Sequence, residues 1–291
     1  MMKALIKSMR LRQWPKNVFL LAAIVFDRQL INITSLVHSF IGFIIFCFLS
    51  SGVYIINDII DVEADRKHPE KNKRPIASGQ LPISVAMTFA SVLVVLPLVG
   101  SYLLSPTFAL VALIYLVLNL IYSKWLKHIP LIDVLVLASF YVIRVIAGVT
   151  LIKVERFSPW LYIVTTLFAL YIGLGKRRAE LKLLAENAKE HRRVLDGYSI
   201  PLLDQLITIV SGTTIVAYSL YTFTAENLQG SFAMMLTIPF VMYGIFRYLY
   251  LIQVKQSGGA PEDLLFTDLP LQIDILLWGV SVLVIFYLIM H

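Results

Sequence analysis

The chain has 291 residues, 58% of them hydrophobic and only 15% charged, with a mean hydropathy of +0.80. Soluble domains sit near half apolar with about a quarter charged, so a soluble globular protein is excluded, and the net charge of +7 is read as membrane topology rather than nucleic-acid binding. The single cysteine, Cys47, excludes an internal disulfide or a cysteine-based metal cluster; in its apolar run it is expected to be a small buried side chain.

In chain order, apolar segments lie near 15–31, 34–58, 83–104, 106–122, 131–152, 158–175, 202–224, 232–252 and 270–290. Most approach the ~20 residues that a helix needs to cross a ~30 Å hydrocarbon layer; the first and fourth are short. Backbone polar groups in lipid must be paired within a helix or a closed barrel, and short alternating strands are not evident. The expected class is therefore all-α: a polytopic membrane protein with nine transmembrane helices. Pro15 suits a helix start. The first segment lacks a small-residue cleavage site, so it is not expected to be a signal peptide.

With the N-terminus in the cytoplasm, all of the 25 Lys and Arg fall on that side except Arg28, Lys153 and Arg156 outside and Arg144 within a span. Such an excess sets orientation and predicts a multi-pass protein of the cell membrane with its C-terminus outside. The whole of 1–291 is expected to form one transmembrane catalytic domain. Two inside loops, near 59–82 and 176–201, hold most of the charge and are expected to cap the site; the second is expected to be partly helical, amphipathic and interfacial. A weak echo of two halves does not amount to a repeat.

The most informative segment runs from Tyr54 to Gly79. Asp58, Asp61 and Asp65 are spaced three and four apart, which places them within a sector of roughly 80° on one helix face. Such a stripe at the end of a span is costly unless something offsets the repulsion of the carboxylates. A hard cation does so, and carboxylates with waters and substrate phosphates suit Mg²⁺, which would neutralise charge building on a diphosphate leaving group. Asn57 sits beside the aspartates as a polar partner. Arg66, Lys71, Lys73 and Arg74 follow within one loop constrained by Pro69, Pro75 and Gly79, and suit phosphate contacts. A solvated loop obeying the charge rule would explain the cations, but not three carboxylates on one face.

The pattern Asn57-Asp58-x-x-Asp61-x-x-x-Asp65 resembles the first aspartate-rich motif of the UbiA superfamily of intramembrane prenyltransferases. Nine spans with that motif after the second match the superfamily's layout, a set of helices around a central cavity. Tyr122-Ser123-Lys124 with Lys127, Pro130 and Asp133 resembles the family's loop after span four. The family's aromatic prenyltransferases carry a second aspartate-rich motif after span six. Here the corresponding stretch, Gly173 to Ser199, holds one aspartate, Asp196, among Lys176, Arg177, Arg178, Lys182, Lys189, Arg192 and Arg193. Together with the basic N-terminal segment from Met9 to Phe26, this resembles the decaprenyl-phosphate phosphoribosyltransferase branch. That resemblance implies a soluble donor, phosphoribosyl diphosphate, and a membrane acceptor, a polyprenyl phosphate, with pyrophosphate leaving.

Several residues are expected at the second phosphate or the ribose: Lys176, Arg177 and Glu180 at the loop's start, then Arg192, Arg193, Asp196 and Tyr198. Anchoring at the interface is the other reading for each. The same choice stands for Lys16 and Asn17 at the start of span one, and for Tyr122 and Lys124. Arg144, inside a span, is expected to bond to backbone or another carboxylate rather than to substrate. His38 is expected to be simply packed, whereas His68 lies in the loop of the acidic motif. Two rivals remain: prenyl transfer from a prenyl diphosphate to an aromatic or other small acceptor, which calls for a second acidic cluster, and a secondary transporter, whose coupling charges belong near the bilayer midplane.

Overall fold

A computed structural model of the chain describes residues 1–67, 71–153, 158–186, 193–225, 228, 231–255, 264 and 266–290. The helices in chain order are α1 (Met2–Ser8), a 3-10 helix (Leu11–Leu21), α2 (Ala22–Phe26), α3 (Ile33–Ile60), α4 (Val62–Lys67), α5 (Ile83–Leu104), α6 (Pro106–Lys124), α7 (Ile132–Val149), α8 (Pro159–Glu186), α9 (Ile200–Thr224), α10 (Ile238–Gln253) and α11 (Leu269–Val284). Among the described residues, eight helices are long and apolar enough to cross a membrane.

The segment expected as the first span differs. Arg10 enters it in the left-handed region at φ 53°, and the chain then runs as the 3-10 helix with Pro15 inside it. Proline removes a backbone donor and crowds the preceding turn, and Arg12, Gln13, Lys16 and Asn17 break up the apolar run. Only the five residues of α2 that follow are α-helical. A second difference concerns the loop expected from residue 176: α8 continues without a break through Glu186, so its first part extends a span rather than forming a separate interfacial helix.

The described chain forms two compact units, one of Met1–Ile24, Gln29–Leu126 and Ile143–Lys153, the other of Val25–Arg28, Lys127–Val142 and Val154–His291. In the first, α3 and α5 pack closely because Gly52 leaves no Cβ against the backbone of Leu93. The core around them includes Ile55, Val62, Ile76, Leu81, Ala86 and Ala90. Helix starts are set by side-chain caps: Asn32 accepts from Ser35 N–H ahead of α3, and Ser105 accepts from Phe108 N–H ahead of α6. Each such cap satisfies a donor that the helix itself leaves open. In the second unit, Tyr171, Leu174, Val194, Leu195, Leu203, Ile207 and Ile252 make one core. Tyr218, Met234, Val282, Ile285 and Phe286 make another.

Candidate active site

In the first unit, α3 ends where the acidic motif begins. Asp58 is 3% exposed and Asp65 4%. The helix stops at Ile60, and Asp61 takes φ −91°, ψ 8° before α4 begins. The expectation of three aspartates along one unbroken helix face is therefore corrected, since a junction at Asp61 divides them. Hydrogen bonds from Asp61 N–H to Asn57 O (2.9 Å) and from Asp65 N–H to Asp61 O (2.8 Å) bridge that junction. They keep Asp65 on the side of Asp58, while Asp61 itself is half-buried.

Asp58 and Asp65 converge on a single nitrogen. Arg74 Nη1 lies 3.1 Å from Asp58 Oδ1 and 2.6 Å from Asp65 Oδ2. Arg10 adds a second ion pair to the same Asp58 oxygen, and its guanidinium lies over the Tyr54 ring, 5.2 Å from the centroid. Two buried carboxylates this close would repel strongly, and two guanidinium groups, each a little under a third exposed, offset that repulsion. Asn57 is held from α6, its Oδ1 accepting from Ser123 Oγ at 2.5 Å. Lys7 Nζ donates to Lys73 O at 3.3 Å, tying α1 to the basic loop.

The remaining expected phosphate contacts of this unit are spread differently. Arg66 is exposed, pairs with Glu63 at 2.8 Å and reaches Ala77 O, so it turns to its own helix rather than to Asp58. Lys73 and Lys124 are exposed, Lys124 over the Trp125 ring at 4.8 Å. Lys71, Lys16 and Tyr122 are half-buried. Asn17 is neither an interfacial anchor nor open to a soluble phosphate: it is fully buried. Its amide nitrogen donates to Cys47 Sγ and Ser50 Oγ, both at 3.3 Å, and its oxygen accepts from Arg144 Nε at 2.7 Å. Arg144 also donates to Tyr115 OH at 3.0 Å and stacks its charge over that ring. These are structural bonds, as expected, but to a side-chain amide and a phenol where backbone or a carboxylate was expected.

In the second unit the basic segment of α8 is engaged internally. Arg177 is 1% exposed; its Nε donates to Asp133 Oδ2 at 2.6 Å and its Nη1 to Glu180 Oε2 at 2.5 Å. The other Asp133 oxygen accepts from Tyr198 OH at 2.6 Å, and that hydroxyl accepts from Leu131 N–H at 2.7 Å. Burial pushes the Tyr198 phenol well above its ordinary range, and the bond to Asp133 adds to the shift. Arg178 grips Asp204 through two nitrogens, at 2.5 and 3.4 Å, and donates to Ile252 O at 3.1 Å. Expected to orient a phosphate or ribose, Arg177, Glu180 and Tyr198 instead form one ion-pair and hydrogen-bond group with Asp133. Lys176 is half-buried and Asp196 exposed. Arg192 and the side chain of Arg193 lie outside the described residues.

Sequence reasoning missed Arg10, Ser123, Asp133 and Asp204 as partners in these groups. Ser123 and Asp133 stood within the loop that carried the family resemblance; Arg10 stood among the N-terminal cations with nothing in its spacing to join it to Asp58. Asp204 had no local signal.

Among the described residues, no three His, Cys, Asp or Glu side chains close on one point to hold a metal ion. The donor set still fits Mg²⁺, which is commonly bound by one or two carboxylates with waters and substrate phosphates completing its shell. Asp58 and Asp65 supply that pair, and the position between them already attracts positive charge.

Residues 18–267 match the model of the UbiA prenyltransferase family. The chain is 36% identical over 286 residues to the decaprenyl-phosphate phosphoribosyltransferase of Mycobacterium tuberculosis, covering 95% of this chain and 92% of that one. It is 32% identical over 291 residues to the enzyme of the same name from Corynebacterium glutamicum, covering 98% and 87%. In fold it is similar to a UbiA homolog from Archaeoglobus fulgidus whose structure holds GPP and Mg²⁺, with a TM-score of 0.73 and 19% identity over 96% of this chain and 99% of that one.

Proposed function

This chain belongs to the UbiA prenyltransferase family and is a membrane transferase, and from that premise we propose that it moves a 5-phosphoribosyl group from phosphoribosyl diphosphate to a polyprenyl phosphate, with Mg²⁺ at Asp58 and Asp65. An oxygen of the lipid phosphate bonds to the anomeric carbon of the ribose, the bond from that carbon to the diphosphate breaks, and pyrophosphate leaves with the electron pair. The attacking oxygen is already anionic, so the reaction needs no general base.

The observation that carries the reading is the convergence of two buried carboxylates on Arg74 Nη1. Mg²⁺, when bound, supplies charge neutralisation for the departing diphosphate. Asp58 and Asp65 would hold it; Asn57, steadied by Ser123, stands beside Asp58, and Asp61 lies at the helix junction between the two aspartates. Arg10 and Arg74 balance the two carboxylates and would be at hand to meet the donor phosphates. Catalysis is then positioning plus electrostatic stabilisation. The relatives named as decaprenyl-phosphate phosphoribosyltransferases support the donor and the acceptor. Arg177 and Arg178 are engaged with Asp133 and Asp204, and the donor-phosphate contacts are proposed for the basic loop that follows Asp65, with Lys73 exposed there. Both units serve one catalytic protein in the cell membrane, with the N-terminus and the Asp58 end of α3 in the cytoplasm.

The test is a product assay on purified protein with Mg²⁺, labelled phosphoribosyl diphosphate and polyprenyl phosphate. Label is expected to pass into the lipid phase, and to stop doing so when the metal is chelated or Asp58→Asn is introduced. Turnover of a prenyl diphosphate with an aromatic acid, and none with phosphoribosyl diphosphate, overturns this donor and favours prenyl transfer.

A further inference from the structure

At the other end of α3, remote from the acidic motif, the first unit contains a cavity of about 420 Å³. Some 23 residues separate Ser35 from Asp58 along one helix, roughly 35 Å at 1.5 Å per residue, so this cavity is distinct from the candidate active site. His38, Lys153, Gln29, Ser35, Ser105 and Thr150 line much of it, and among the described residues none of its lining is acidic. Its walls are built: Ser35 Oγ donates to Gln29 Oε1 at 2.6 Å, and Gln29 Nε2 donates to Lys153 O at 2.6 Å. This holds the chain ahead of α3 against the chain that follows α7.

Two features give the cavity a charge preference. Neither the His38 ring nor the Lys153 ammonium makes a hydrogen bond or ion pair among the described residues, so both have donors to offer. The hydroxyls of Ser35, Thr150 and Ser105 are engaged, Ser35 donating to Gln29 Oε1, Thr150 to Ala147 O and Ser105 bonded to Thr107 Oγ1, so the donors on offer are those of His38 and Lys153. A cavity of a few hundred Å³ with convergent polar groups is of ligand-binding size. It opens where α3 and α6 begin, at the level at which a spanning helix meets the headgroup layer. A cationic pocket at that level suits an anionic headgroup by charge.

We propose that this cavity binds a phosphate anion, either a phospholipid headgroup or the free ion, through His38 and Lys153. A packed, purely structural His38 would not respond to such a ligand.

The full chain, with ring-labelled histidine and held in a phosphate-free maltoside detergent, is titrated with inorganic phosphate in one arm and phosphatidylglycerol in the other. The His38 signal is identified by its loss in His38→Gln. It is expected to move saturably in at least one arm: movement with phosphatidylglycerol alone marks a headgroup site, and movement with inorganic phosphate marks a site open to the free ion. Lys153→Gln is expected to weaken the midpoint about tenfold, the effect of losing one charge-assisted bond, while Lys153→Arg retains it. Both variants should keep the parent's circular dichroism and transferase activity. A His38 signal unmoved in both arms, or an unchanged midpoint in Lys153→Gln, overturns the proposal.

Discussion

Asp133 and Arg177 are joined at 2.6 Å with both side chains out of solvent, at 0% and 1% exposure. They come from different helices, 44 residues apart, and Tyr198 closes the group by donating to the free carboxylate oxygen. A buried pair of this kind is dangerous to break by halves, because the remaining charge loses its buried partner. Truncating one partner costs about 3–5 kcal/mol in such sites, whereas exchanging both for apolar groups can be neutral. Arg177→Met should therefore lower the unfolding midpoint in detergent far more than Lys176→Met. The double variant Asp133→Leu with Arg177→Met should recover part of the loss. Equal midpoints for Arg177→Met and Lys176→Met would show that the pair has no such role.

Arg74 faces two carboxylates through one nitrogen, which a lysine ammonium can match in charge but not in planar geometry. Arg74→Lys is expected to keep the fold and lower kcat/KM roughly tenfold to a hundredfold, since positioning terms of this size attend charge-assisted contacts. Asp65→Asn should lose more, with its residual activity less sensitive to Mg²⁺ concentration. Metal-titration curves for the three proteins separate these outcomes.

A methyl group at Gly148 would fall on the carbonyl oxygen of Leu20, and one at Gly197 on the ring of Pro130. Overpacking costs about 1–3 kcal/mol where neighbours cannot move, and backbone and proline ring are poor at moving. Gly148→Ala and Gly197→Ala should each lower the thermal midpoint. Gly212→Ala, with open space around the new methyl, is the control and should leave the midpoint unchanged or raised.

Asp268 caps α11 by accepting from Leu271 N–H at 3.0 Å and takes two bonds from Arg247, at 3.0 and 2.8 Å. The bond from Arg247 holds this carboxyl below the usual aspartate range. Its stabilising effect is therefore complete above the unfolded value of about 4 and is lost as pH falls through the lower folded value. Between about pH 5 and pH 3 the midpoint of the parent protein should fall more steeply than that of Asp268→Asn. Parallel curves would remove this pair from the acid transition.

Hydropathy alone made the spans legible, because lipid permits few alternatives for the backbone, and eight helices met that standard among the described residues. It failed at residues 15–31, where enough apolar residues are present but Arg10 and Pro15 redirect the chain. The convergence of Asp58 and Asp65 was legible because i to i+7 spacing survives a one-residue junction. The fate of Arg177 and Arg178 was not. Cations at a span's cytoplasmic end satisfy the charge rule whether they meet phosphate, water or a carboxylate, and Asp133 and Asp204 reach them only through tertiary packing. The same limit applied to His38, a lone histidine near the start of a span until the fold set Lys153 on the same cavity.

The sulfur of Cys47 is sealed from solvent, with the amide of Asn17 lying against it. Thiol-directed reagents depend on access as well as on the thiolate, so the natural protein offers maleimides nothing to modify. Cysteines placed singly in α1 or after α11 would be the sole labelling targets, and membrane-impermeant reagents applied to intact cells could then map both termini without first engineering the native residue away.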